Sequence, residues 1–285
     1  MKILLTGSNG QLGSCFKDRV PSHWDILPTD SDTLDITNKD AVISIVNKFK
    51  PDVIVNAAAY TAVDKAEQDY ELARLVNEIG PQNLAYAARL NSIRLIHVST
   101  DYVFDGTSTE PYVESDPTNP LGVYGTTKLA GEKCVLEALE DSIILRTAWV
   151  FSEYGNNFVK TMLRIAKDNS TIKVVNDQVG CPTYAGDIAL AIIELINSNS
   201  VGGIYHFCGG KNISWCGFAS KIFECAQKSG LLINVPTVIG ISTSEYPTPV
   251  KRPSYSVLNT SKIEKIGVLP SDWESALETI MVKLK

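Results

Sequence analysis

Tyr124-Gly-Thr-Thr-Lys128 sets a phenol and an ammonium four residues apart. On a helix that spacing places both on one face. A free tyrosine, with a pKa near 10, is a poor acid–base catalyst at neutral pH. A cation about 5 Å away interacts with the phenolate by roughly 3 kcal/mol at an effective dielectric of about 20. That corresponds to about two pKa units, enough to make the phenol useful. Thr100 closes the apolar run ending in His97-Val-Ser-Thr-Asp101 and adds a hydroxyl at a strand's carboxyl end. Hydroxyl, phenol and ammonium together suit reduction of a carbonyl or oxidation of an alcohol beside a nicotinamide. A Tyr-x-x-x-Lys pair also arises by chance on surface helices, so its position in the chain carries the argument.

That position is set by a second motif. Gly7-Ser-Asn-Gly10-Gln-Leu-Gly13 follows a short apolar run and opens a helical one. Gly7 permits a tight turn, Gly10 lets the backbone approach a pyrophosphate, and Gly13 allows helix to pack on strand. The helix start then offers free N–H groups and a partial positive charge. A structural βα turn is the plainer reading, but strand–turn–helix context favours a dinucleotide. Asp30 lies where an acid accepts the adenosine ribose hydroxyl. No Lys or Arg stands beside it to receive a 2′-phosphate, which favours NADH, although Asp30 also suits a polar turn. Asp35 and Ile36 are the next candidates, flanking the adenine. The small residues Ala57 and Ala59 after the third strand let a cofactor lie across the strand ends.

The elements needed to hold these groups are legible. Strands are expected over 2–6, 24–27, 52–55, 94–98 and 142–145, and helices over 10–20, 39–50, 71–90 and 126–139. Pro81 falls where one helix ends and another begins. Short apolar strands alternating with helices imply a parallel sheet covered on both faces. Later come helices over 157–167, 187–196 and 218–228, strands over 172–175 and 204–207, and a Pro-rich tract over 236–253. A last helix starts near Ser271 as N-cap. The expected class is α/β: a Rossmann-like doubly wound parallel sheet with a smaller mixed α+β substrate domain. Residues 1–150 form the dinucleotide-binding domain and 151–285 the substrate domain, with the chain crossing back into the first sheet.

Composition excludes other classes. The 285 residues carry 26 Lys+Arg and 32 Asp+Glu, a net charge of -6, with 44% hydrophobic and 20% charged residues. That is globular rather than disordered, and it lacks the basic excess of non-specific nucleic-acid binding. No signal peptide or membrane span is visible. Cys15, Cys134, Cys181, Cys208, Cys216 and Cys225 show no metal spacing and read as reduced thiols in a cytoplasm. His23, His97 and His206 are well separated, which argues against a zinc site or a Ser-His-Asp triad.

Longer segments carry a resemblance: 56–67, 99–106, 124–132, 146–149, 155–158, 176–183 and Arg252-Pro253. With the glycine turn and Thr100/Tyr124/Lys128, they resemble the dTDP-4-dehydrorhamnose reductase family of the extended short-chain dehydrogenase/reductase superfamily, over essentially the whole chain. The resemblance implies reduction of the C4 ketone of dTDP-4-dehydro-L-rhamnose by NADPH or NADH, the last step of dTDP-rhamnose biosynthesis. Tyr124 then donates the proton, Lys128 holds the nicotinamide ribose and lowers the Tyr124 pKa, and Thr100 hydrogen-bonds the reacting oxygen. Gly10, Gln11, Leu12, Asp30, Asp35, Ile36, Ala59, Tyr60, Thr61 and Val98 line the cofactor site by the same carry-over. Trp149 packs against the dTDP-sugar, with Val63 and Asp101 nearby and Arg252 suited to its diphosphate. A homodimer is left open.

One departure concerns magnesium. The family can bind it through glutamates whose matching positions here are Cys15 and Gly186, neither a ligand that Mg²⁺ prefers. No metal is therefore expected at those positions. Three other readings compete: a 4,6-dehydratase or 4-epimerase of the same superfamily, a non-catalytic regulatory subunit like the β subunit of methionine adenosyltransferase, and a Rossmann-like binding module of unknown ligand, which leaves the matching motifs of the second domain unexplained. Asp101-Tyr102 after Thr100 lacks the Asp-Glu of a dehydratase, and the intact Thr100/Tyr124/Lys128 set favours catalysis.

Overall fold

The computed structural model describes residues 1–198 and 200–285. Six parallel strands form the main sheet: β1 (Lys2–Thr6), β2 (Asp25–Pro28), β3 (Val53–Asn56), β4 (Arg94–Thr100), β5 (Ile143–Thr147) and β6 (Gly203–His206). Their order is β2-β1-β3-β4-β5-β6, with every neighbouring pair parallel. The order reverses between β1 and β3, and such a switch point opens a crevice at the carboxyl ends of the strands.

Alternation along each strand assigns its side chains to two cores. Ile3 and Leu5 of β1, Val53 and Val55 of β3 and Ile143 and Leu145 of β5 point to one face. There they meet Phe16 of α1 (Gln11–Arg19) and Ile188 and Ile192 of the helix Ala185–Asn197. Leu4, Ile54, Leu95 and Ile144 point to the other face, against α2 (Lys39–Phe49), α3 (Gly80–Leu90) and α4 (Val123–Ala138). A sheet buried on both faces needs continuous apolar runs, which these strands supply.

Pro81 falls, as expected, where one helical segment gives way to the next. Tyr70–Arg74 passes into a π turn, Leu75–Ile79, and then into α3. Proline sits at the start of α3, just past a register change, where its missing N–H costs little. Beyond β5, a second core joins the helices Phe158–Ala166, Trp215–Lys228 and Trp273–Lys283 to a parallel pair of strands, Thr171–Val175 and Thr237–Ile241. The Pro-rich tract thus contains a strand. The last helix is capped by Asp272, which accepts from Ser275 N, and not by Ser271. Ser271 Oγ instead donates to Asp187 at 2.6 Å, so burial against a neighbouring helix removes it from the cap. Among the described residues no helix is long and apolar enough to cross a membrane.

Candidate active site

The glycine turn leads directly from β1 into α1. Gly7 has φ +68°, and a Cβ there would lie 2.6 Å from Ala58 N. Gly13 faces the turn itself: a Cβ would lie 2.3 Å from Gly7 O. The turn can therefore close only around residues without side chains, leaving the N-terminus of α1 open to a ligand. Gly10, the N-cap, contributes no side chain to that end.

A cleft of about 670 Å³ runs from this turn over the switch point. Every cofactor-site residue expected from the sequence lines it except Gly13, whose place is beneath the turn. Asn9, Leu34, Val76, Thr147, Val150 and Asn156 line it as well, and the sequence reading did not single them out for a cofactor. Among the described residues Lys128 is its one lining cation. Asp30 lines the cleft and also closes a turn: Oδ1 accepts from Asp32 N at 3.1 Å, and Oδ2 accepts from Asn9 Nδ2. Gln11 is fixed from the far side of the cleft, accepting from Asn157 Nδ2 at 2.8 Å and Ser152 Oγ at 3.0 Å.

Tyr124 lies in the first turn of α4, and Lys128 one turn later. Thr100 ends β4, accepts from Tyr102 N at 3.2 Å and donates to Asp101 Oδ1 at 3.1 Å. Burial pushes the Tyr124 phenol well above the usual tyrosine range, while a hydrogen bond with Thr100 pulls it back and Asp101 and Tyr102 push it further up. Lys128 is fully buried and donates to Val98 O at 2.7 Å. Desolvation lowers its ammonium to about 8, against the pull of Glu132. From its spacing alone, Lys128 would dominate the Tyr124 pKa. In the structure desolvation dominates both groups, and the ammonium is engaged by the strand backbone.

Three contacts that the sequence did not reveal fix α4. Glu67 Oε1 accepts from Val123 N at 2.7 Å and so caps a helix whose own N-cap is Gly122. Asn77, within the π turn, bonds both backbone groups of Tyr60 and reaches Thr127 Oγ1 at 3.2 Å. Glu132 forms a buried pair with Arg146 of β5, with Arg146 Nη2 donating at 2.7 Å, and it accepts from Ser99 Oγ.

None of the expected substrate residues Val63, Thr100, Asp101, Trp149 and Arg252 lines the cleft itself. Trp149 has φ +44°, a strained value for a residue with a Cβ, and stacks on Trp215 with ring centroids 3.4 Å apart. Trp215 in turn meets Phe158, making an aromatic platform that the sequence showed only in its Trp149 part. Arg252 Nη2 donates to Asp64 Oδ2 at 2.7 Å, next to Val63. Asp64 Oδ1 and Arg252 Nε are buried without partners among the described residues. Burial raises Asp101 to about 6.

The two positions that match the family's magnesium glutamates, Cys15 and Gly186, carry no carboxylate. Cys15 is buried, its thiol pushed up to about 12 by desolvation. A Cβ on Gly186 would lie 2.4 Å from Arg19 Nη2, so a guanidinium occupies the space into which a ligand there would project. Arg19 is held by Tyr184 OH at 2.8 Å.

A doubly wound parallel sheet, a glycine turn at its switch point and Tyr124 and Lys128 in the cleft, with Thr100 hydrogen-bonded to Tyr124, define a Rossmann-like protein of the short-chain dehydrogenase/reductase kind. The whole chain, residues 1–285, matches the family described as "RmlD substrate binding domain", and it belongs to that family. A dTDP-4-dehydrorhamnose reductase of Aggregatibacter actinomycetemcomitans is 49% identical over 287 residues, 98% of each chain. The crystal structure of a dTDP-4-dehydrorhamnose reductase from Clostridium acetobutylicum matches with a TM-score of 0.94 and 41% identity, over 100% of this chain and 99% of that one. That of the Bacillus anthracis enzyme in complex with NADP matches with a TM-score of 0.92 and 40% identity, over 99% of each chain.

Proposed function

We propose that this protein is an NADPH- or NADH-dependent reductase that converts the C4 ketone of dTDP-4-dehydro-L-rhamnose to the alcohol of dTDP-L-rhamnose. The observation that carries this reading is the presence of Tyr124 and Lys128 in the glycine-turn cleft, with Thr100 hydrogen-bonded to Tyr124, in a chain related end to end to such reductases. The cleft suits a dinucleotide: Gly7 and Gly10 present no side chain to it, and Gln11 and Leu12 bring the start of α1 to its wall. When bound, the nicotinamide supplies a hydride to the carbonyl carbon.

The chain's own groups supply the rest. Tyr124, kept protonated by burial, gives its phenolic proton to the oxygen that gains charge. Thr100 holds the same oxygen by hydrogen bond, and Lys128 anchors the cofactor ribose from Val98. The Trp149/Trp215 platform and Arg252 receive the sugar nucleotide, with residues beyond 150 forming most of that side. Six free thiols and the absence of a membrane-spanning helix among the described residues suit a cytoplasmic setting.

The test follows NADPH and NADH oxidation with enzymatically generated dTDP-4-dehydro-L-rhamnose and determines the stereochemistry of the product. Stoichiometric cofactor consumption is expected. Turnover without net oxidation would instead mark an epimerase or dehydratase. Tyr124→Phe should lower kcat by about 100-fold or more while cofactor still binds, and near wild-type kcat would remove the assignment. Lys128→Met should weaken cofactor binding and slow turnover together.

A further inference from the structure

Behind Lys128 lies a buried chain of polar groups that the reaction itself does not require. Asn56 Oδ1, at the end of β3, accepts from Ala58 N at 3.1 Å and from Thr6 Oγ1 at 2.7 Å. A backbone N–H can only donate, so this contact fixes which end of the Asn56 amide is oxygen. Asn56 Nδ2 then meets His97 Nδ1 at 2.9 Å, and as an N–H group it donates. His97 Nδ1 must accept, so the neutral ring carries its proton on Nε2. That nitrogen lies 3.4 Å from Lys128 Nζ.

The contact is unusual in its polarity. An ammonium has three donors and no acceptor, so it meets Nε2–H donor to donor; an uncharged amine has a lone pair and accepts from it. Thr6, Asn56, His97 and Lys128 are all buried, so no solvent intervenes to relax the conflict. We propose that His97, locked as the Nε2–H tautomer by Asn56, is a positioning residue that favours the uncharged amine of Lys128 and sets how readily this side chain gains and loses its proton. The functional part rests on the reductase reading above; the tautomer does not.

Other groups around Lys128 act in known directions. From β4 it is faced by His97 and by the Val98 carbonyl, to which either protonation state donates. From its own helix it is flanked by Tyr124 one turn before and Glu132 one turn after, and Glu132 favours the ammonium. The Glu132 carboxylate is shared with Arg146 of β5 and Ser99 of β4. Desolvation already brings Lys128 down to about 8. Burial and the Lys128 charge hold His97 well below the usual histidine range, so its ring stays neutral.

Long-range proton–nitrogen NMR of the ¹⁵N-labelled full chain reads the tautomer directly, with His97 assigned by its loss in His97→Leu. The expected spectrum has a protonated Nε2 and a bare Nδ1 that do not titrate between about pH 5 and 8. A protonated Nδ1, or an imidazolium, would overturn the proposal. Asn56→Asp supplies the reversal: a carboxylate only accepts, so the proton moves to Nδ1 and Nε2 turns a lone pair to Lys128. The Lys128 titration, followed by its ¹³Cε shift, and the alkaline limb of kcat/KM should then rise by about one pH unit. His97→Leu, which only removes the donor, should move both the same way by less. A reversed tautomer with an unmoved Lys128 titration would sink the link. Absence of keto-sugar reduction would count against the proposed function alone, since the tautomer and lysine measurements need no substrate.

Discussion

The Glu132–Arg146 pair gives the sharpest energetic prediction. Its atoms are buried, with Arg146 Nε donating to Oε1 at 3.0 Å and to Oε2 at 3.2 Å, and Nη2 donating to Oε2 at 2.7 Å. Glu132→Gln keeps an oxygen for one of these bonds but removes the charge. Arg146 is then left with the Phe104 ring, 5.2 Å from its guanidinium carbon, and with His206 Nε2 at 3.5 Å. Neither compensates: His206 is held at about 3 by burial and by Arg146, so it stays neutral. Breaking a buried pair by removing one partner costs about 3–5 kcal/mol, because the remaining charge has no counterion. At about 2 °C per kcal/mol for a chain of this size, Tm should fall by about 6–10 °C. Added salt should change the loss little, since buried pairs are weakly screened. The control is Glu132→Leu with Arg146→Met, which removes both charges and should melt within about 2 °C of wild type. Calorimetry of the three proteins decides. A Glu132→Gln protein melting within about 1 °C of wild type, or a double variant as unstable as the single one, would refute the reasoning.

Other perturbations read separate parts of the site. Glu67→Ala removes the acceptor for Val123 N, so it should cost about 1 kcal/mol and lower kcat more than it raises KM, with Glu67→Gln restoring most of both. Asp101→Asn tests a group whose folded pKa is raised, to about 6 by burial. The wild-type carboxyl loses stability as pH rises from its unfolded value, about 4, through about 6, and stays less stable above. The variant should therefore gain stability relative to wild type at pH 7.5, on the order of 3 kcal/mol, and little at pH 4; equal differences at both pH values would refute the shift. Asp30→Ala should weaken any preference for NADH over NADPH, measured as the ratio of kcat/KM values, and an unaltered ratio would reduce Asp30 to the turn that Asp32 and Thr33 share with it.

What the sequence made legible is what depends on near neighbours in the chain. The glycine turn lies within seven residues, and its demands on φ and close approach hold in the fold. Strand alternation likewise assigns Leu4 and Leu5 to opposite cores. The groups that fix α4 are of another kind: Val123 is capped by Glu67, 56 residues away, and Arg146 meets Glu132 because α4 packs on β4 and β5 lies beside that strand. No local pattern announces such partners. The strand Thr237–Ile241 was hidden for a similar reason, as its partner Thr171–Val175 lies far back in the chain.

The Tyr124–Lys128 pair shows where spacing alone misleads. Four residues on a helix correctly bring two side chains to one face, and a Coulomb estimate then makes the lysine the agent that tunes the tyrosine. What lies behind the lysine decides otherwise. In the fold the ammonium is buried, bound to Val98 O and opposed by a histidine whose proton is fixed from Thr6 and Asn56 on neighbouring strands. Burial lowers the charge on one group and raises the proton affinity of the other, so the pair shifts together toward neutral amine and neutral phenol. A neutral phenol suits a proton donor, which reduction of a ketone needs. The protonation states of the pair are thus set by how deeply the sheet buries this helix, a property of the tertiary fold and not of the motif.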